Sequence, residues 1–205
     1  MPPRMSLSVL FAAAVLSWAT TSAADGAYGR LDGDTAIQLD VGAGTDEGRV
    51  SAVGAIAVRY LQTAGVYNTW TIRPRDDSPT AWTTSFGVEL RPLFLPRFFK
   101  NLQSGPAALD LMLDSISLRL GAVTANDGPF SNGGPGFESG LGIGVPLTSQ
   151  ASGPWLSTSG AFRWSHVRMG GSPSTQDRAF LWTLTLGWQE IFRVGIVDIG
   201  DTNPP

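Results

Sequence analysis

The chain has no cysteine, and its single histidine is His166. The first absence excludes a disulfide framework and a thiolate metal site, and the second excludes a multi-histidine centre. No metal and no cofactor is therefore expected. Charge is scarce too: Asp, Glu, Lys and Arg supply 15% of the 205 residues, against roughly 25% in ordinary soluble domains. Beyond the N-terminus no apolar run reaches the ~18 residues a membrane helix needs. The formal net charge of −3 offers no basic surface, so nucleic acid is not expected as a partner.

The N-terminus carries a different signal. Met1 to Arg4 is a short basic start, Leu7 to Ala19 is apolar, and Ser22-Ala23-Ala24 supplies the small residues of a cleavage site. That order is a secretory signal peptide over residues 1–24. Its apolar core of about 13 residues is too short to span a bilayer comfortably. Removing it with Arg4 takes the formal charge from −3 to about −4, and leaves residues 25–205 as one domain.

What is plentiful is glycine (25), proline (14) and tryptophan (7). The most informative stretch is Ala179 to Gln189. Phe180, Trp182, Leu184, Leu186 and Trp188 fall on one face of a strand, and Ala179, Leu181, Thr183, Thr185, Gly187 and Gln189 fall on the other. An apolar face with a Trp near each end suits lipid, because Trp favours both membrane–water interfaces. The same alternation recurs along the chain. Leu31–Ala43, Arg49–Leu61, Ala81–Arg91, Ser115–Val123, Phe137–Leu147 and Trp155–Val167 each set apolar residues against small or charged ones. Val66–Arg73 is the weakest: either a strand entered by a turn at Thr63–Gly65, or a bulged continuation of the strand before it.

Pro92 to Asp114 breaks the pattern. Arg97–Gln103 and Ala107–Leu113 read as short helices on either side of Gly105-Pro106, with Pro106 placed to open the second. This insertion at 94–114 reads as an amphipathic lid or interfacial hairpin over one barrel end, or as a partner-docking element. Gly140, Gly142 and Gly144 share one inner face, where they either admit a bulky group or permit strong curvature.

With Val66–Arg73 counted, the strands number eight, and the fold class is an all-β, antiparallel up-and-down transmembrane barrel. Loops at 44–48, 73–80, 124–136 and 170–177 share one end. Turns at 63–65, 93–114 and 148–153 share the other with both chain termini, which makes that end periplasmic. Inward parity seats Asp32, Asp34, Asp40, Arg49, Arg59, Glu89, Arg91, Arg119, Glu138 and Arg163 in the lumen, five acids against five bases. In so narrow a barrel that set forms a salt-bridged plug rather than a pore. Trp82, Trp164, Trp182 and Trp188 form the interface girdles.

Leader, alternation, girdles and loop asymmetry together resemble the small eight-stranded bacterial outer-membrane proteins over about residues 28–192. The resemblance implies an outer-membrane location with membrane lipid as surroundings. Most such proteins end in an aromatic residue, whereas here Phe192 is the nearest one to Asn203-Pro204-Pro205. The outward His166 near a strand end is also similar to the lipid A deacylase barrels. Their serine stands two residues after the histidine and is followed by Asn; those positions here hold Arg168 and Met169. Ser165 points to the opposite face, a poor geometry for activation. The expectation is thus a non-catalytic barrel that is structural or binds through its surface loops. Two alternatives stand beside it: a lipid A acyl hydrolase using His166, and a soluble secreted barrel around a hydrophobic ligand. The last requires the Trp faces to point inward and Asp32, Asp34, Arg59 and Arg119 outward. A narrow ion pore is a variant of the first reading.

Overall fold

Alternation of apolar and small polar residues produces eight strands in the computed structural model. It describes residues 29–30, 32–46, 49–73, 81–100, 102, 104–126, 130–131, 134–166 and 178–195. The leader at 1–24 and the loops at 74–80 and 170–177 lie outside these residues. The strands are β1 (Thr35–Asp46), β2 (Arg49–Tyr60), β3 (Ala64–Arg73), β4 (Ala81–Leu90), β5 (Ser117–Ala125), β6 (Gly136–Pro146), β7 (Gly153–Trp164) and β8 (Arg178–Phe192). Each pairs antiparallel with the next, and β8 closes on β1 with Thr35 opposite Phe192. The expected up-and-down eight-stranded barrel is the fold.

β3 is a separate strand, which removes the bulge alternative. Its pattern reads poorly because Tyr67 is turned inward and Asn68 outward. Asn68 is accommodated there by the Thr84 hydroxyl on β4, which donates to its Oδ1 at 3.4 Å. The turn before it is Leu61–Thr63, not Thr63–Gly65. Leu61 and Gln62 both take left-handed φ values, 45° and 57°, as the central pair of the turn that the Thr63 N–H closes on the Tyr60 carbonyl at 3.0 Å. β1 begins at Thr35 rather than Leu31.

The outward faces carry the large apolar residues. Leu39, Val41, Val66, Trp70, Phe86, Leu120, Leu141, Phe162, Leu184 and Leu186 are all exposed. The inward faces carry Ser85, Thr83, Thr183, Thr185 and Gln189, all buried. This is the reverse of a soluble barrel, and the alternative with inward Trp faces does not hold. Arg59 is 2% exposed, while Trp182 and Trp188 are 43% and 56% exposed. Trp70, Trp82, Trp164 and Trp182 lie toward the end away from the termini. Trp188, opposite Leu39, lies toward the terminal end. Trp164 is half-buried between Phe137 and Phe162, with ring centroids 5.7 and 6.2 Å away.

Among the described residues, buried apolar side chains gather in two clusters, one at each end of the barrel. At the terminal end Ala36, Leu111, Ala151, Trp155 and Ile191 form one cluster, and at the far end Val123, Ala125, Phe130 and Ala179 form another. The polar lumen lies between them. Leu111 belongs to the insertion, which folds as α1 (Phe94–Phe99) and α2 (Ala107–Asp114). α1 starts three residues earlier than Arg97, because Phe94 is buried and stacks on Phe98 at 5.9 Å. α2 follows Pro106, whose extended backbone opens it. The insertion is a lid over the terminal end.

Candidate functional site

The lumen is organised by two rows of residues that face one another across consecutive strands. In the first, register sets Arg59 opposite Gly65, Gly65 opposite Glu89, and Glu89 opposite Arg119. Gly65 has no side chain to interpose, so Arg59 crosses it and donates from Nε to Glu89 Oε1 at 2.6 Å. Arg119 Nε donates to the other oxygen, Oε2, at 2.7 Å. Arg91, just past the end of β4, brings its Nε to 3.5 Å from Oε1 and donates from Nη1 to Gln62 at 3.2 Å. One buried carboxylate thus faces three guanidiniums.

The second row runs Tyr67, Gly87, Gly121, Glu138, Arg163. Arg163 Nε donates to Glu138 Oε2 at 2.7 Å. Tyr67 lies across the two glycines and donates its hydroxyl to Glu138 Oε1 at 2.9 Å. A Cβ on Gly121 would sit 2.6 Å from that hydroxyl, which is why glycine occupies the position. The Arg119 guanidinium stacks over the Tyr67 ring, 5.3 Å from its centroid, and joins the two rows.

Glutamines complete the network. Gln38 Oε1 accepts from Arg59 Nη2 at 2.7 Å, and its Nε2 donates to Asp40 at 2.9 Å. Gln189 accepts from Arg59 Nη1 at 3.2 Å and donates to the Ala151 carbonyl at 2.7 Å. Beside Glu89 remains one polar cavity of about 30 Å³, lined by Asp40, Arg59, Glu89, Arg91 and Arg119 among others. Of the inner glycines on β6, Gly144 admits a bulky group: a Cβ there would meet the Trp155 ring at 3.0 Å.

The structure seats seven of the ten expected lumen residues inside: Asp40, Arg59, Glu89, Arg91, Arg119, Glu138 and Arg163. Asp32 is a correction, since it is exposed ahead of β1. Arg49 is another, exposed at the first position of β2 although its parity is inward. Both lie beyond the height at which the barrel wall encloses side chains. Asp34 is buried, but at the rim, where its Oδ1 accepts from the Val194 N–H at 2.7 Å. Gln38 and Gln189 fall on the inner faces by parity, but their part in the network, and that of Tyr67, was not foreseen; the signal was inward parity beside charged neighbours.

A second ionic group, also unforeseen, lies in the lid. Asp110 and Asp114 are one turn apart on α2, so both carboxylates meet Arg97 from α1. Arg97 Nε donates to Asp114 Oδ1 at 2.9 Å, and Arg30 Nε stands 3.0 Å from Asp114 Oδ2. Burial raises the Asp114 pKa above its ordinary 3.8, while Arg30 and Arg97 pull it back down.

His166 is exposed just beyond β7, its ring near Gly134, whereas Ser165 is fully buried. The two side chains point opposite ways, so Ser165 cannot be the nucleophile of an outward histidine. Arg168 and Met169 lie outside the described residues.

No protein-family model matches the chain, and no curated protein matches it. Among solved structures it is similar to the de novo designed TMB2.3, at 14% identity over 77% of this chain and 96% of that one, with a TM-score of 0.42. It is also similar to Ail, the attachment invasion locus protein of Yersinia pestis, at 12% identity over 76% and 96%, with a TM-score of 0.35. Ail in complex with the heparin analogue sucrose octasulfate gives the same values.

Proposed function

We propose that the chain is a non-catalytic outer-membrane β-barrel, plugged by its own side chains, that supports the envelope or binds through its far-end loops. The observation that carries this is the reversed polarity of the barrel: a continuous apolar exterior with Trp toward both ends, around an ion-paired interior. Exposed apolar area of that extent needs lipid, and strands of nine to fifteen residues are long enough to cross a bilayer at a tilt. The leader delivers the chain through the inner membrane, and both termini and the lid then face the periplasm. The register pair Leu90 and Leu118 is exposed, and so are Leu93, Leu95, Phe99 and Leu102 in the insertion itself. Those exposed apolar side chains suit a hairpin resting on the inner leaflet.

Fractionation of cells expressing the full chain, with a gel comparing unheated and boiled samples, tests the reading. Recovery with the outer membrane and a heat-dependent mobility shift are expected. Recovery as a soluble periplasmic protein with no shift overturns it. Planar-bilayer recordings test the plug, with no steady conductance expected.

A further inference from the structure

The Glu89 cavity does not balance its own charge. Its walls carry three guanidiniums, Arg59, Arg91 and Arg119, against two carboxylates, Glu89 and Asp40. Both Glu89 oxygens are already taken, by Arg59 at 2.6 Å and Arg119 at 2.7 Å. Asp40 accepts from Gln38. Arg91 is the least satisfied of the three: it is 7% exposed, its Nη1 donates to Gln62, and its Nε stands 3.5 Å from Glu89 without a hydrogen bond. A buried cation without a full partner is costly wherever water cannot reach it. The cavity beside it is lined further by Ser117 and by Ser157, whose hydroxyl accepts from Gln38 at 3.3 Å and keeps its own proton to donate, while the hydroxyls of Ser115 and Ser159 are engaged with Gly144 and Thr183. Guanidinium and hydroxyl donors around a small buried space are an anion's coordination shell rather than a cation's.

We infer that this cavity is a binding site for one small monovalent anion, chloride in the cell, held by Arg91 with the surrounding arginines and serines. One negative charge cancels the excess of one positive charge on the walls. A space of about 30 Å³ holds one or two waters, and a halide is of that size. Chloride would then be an integral part of the plug, fixing Arg91 where β4 ends and the lid begins. The site depends on the wall residues alone and stands whether or not the barrel resides in the outer membrane.

Bromide is the probe, because its anomalous scattering locates it directly. Crystals of the intact wild-type barrel grown with bromide in place of chloride should show one anomalous peak inside the lumen, within contact distance of Arg91. A cavity that stays without a peak at a bromide concentration that labels surface sites overturns the inference. In solution, the urea unfolding rate of the wild type should be several-fold slower in bromide or chloride than in gluconate at equal ionic strength. The Arg91→Met variant should lose that difference while keeping the folded gel mobility. Equal rates in all three salts for the wild type also overturn it. If Arg91→Met fails to fold, Ser117→Val, which narrows the cavity without touching the ion pairs, serves as the second variant.

Discussion

Tyr67 and Glu138 stand three strands apart around the barrel, yet the Tyr67 hydroxyl donates to Glu138 at 2.9 Å. Gly87 and Gly121, the two register positions between them, make this possible. A valine at Gly121 is expected to drive Tyr67 off Glu138, since even its Cβ would lie 2.6 Å from the hydroxyl and 2.5 Å from the Phe86 carbonyl. Overpacking of this kind costs about 1–3 kcal/mol, and loss of the charged hydrogen bond adds ~1.5 kcal/mol or more. Tyr67→Phe should show only the second contribution. Urea midpoints of the two variants, measured on the folded gel band, separate the terms. A Gly121→Val midpoint equal to that of Tyr67→Phe would mean that the glycine holds no space open.

Glu89 is the carboxylate on which three arginines depend. Glu89→Gln keeps the shape and removes the charge, so the buried Arg59 and Arg91 and the half-buried Arg119 lose their common carboxylate. Breaking a buried pair this way typically costs about 3–5 kcal/mol, enough to lose the folded band in moderate urea. The paired variant Glu89→Gln with Arg59→Gln should recover part of the loss, because one orphaned cation is removed with its partner. A double variant no better than the single one would assign Glu89 a role other than charge balance.

The two rows also mark what could be read in the sequence. Strands such as Ala81–Leu90 and Arg178–Phe192 were legible because a period of two shows directly in their residues. β3 was faint because Tyr67 and Asn68 put bulk inside and polarity outside, and each is satisfied only by a group on another strand. Parity gives the face of a residue and says nothing of its height. Asp32 and Arg49 were therefore assigned to the lumen, while the structure leaves both exposed past its ends. Partners within the lumen follow from register, and register depends on turn placement. A turn at Thr63–Gly65 in place of Leu61–Thr63 would slide Arg59 away from Gly65 and hide the path to Glu89. The lid's Asp110 and Asp114 showed helical spacing, but their partners Arg97 and Arg30 come from elsewhere in the chain.

Leu61 turns the chain with φ at 45°, a conformation costing an ordinary side chain roughly 1 kcal/mol or more. Asparagine tolerates it better and is favoured at this position of a tight hairpin. Leu61→Asn is therefore expected to raise the urea midpoint by the equivalent of about 0.5–1 kcal/mol. Gln62 is the wrong residue for the same change, since its side chain holds Arg91. Urea titration of both variants checks the pair: Leu61→Asn should gain stability and Gln62→Asn should lose it.

Asp114 gives the lid a dependence on pH whose sign follows from its environment. Burial is the largest influence on its carboxyl and raises its pKa above 3.8. As pH rises past 3.8, the unfolded chain loses this proton before the folded one does. The folded state then holds more protons, so the contribution to stability is full below 3.8 and falls until the folded group ionises too. Asp114→Asn carries no such titration. The wild-type urea midpoint minus that of Asp114→Asn should therefore decrease as pH is raised from 3 into the neutral range. A difference that grows with pH would mean that the ion pairs with Arg30 and Arg97, at 3.0 and 2.9 Å, outweigh the burial of the carboxylate. In that case the lid is held down by charge rather than in spite of it.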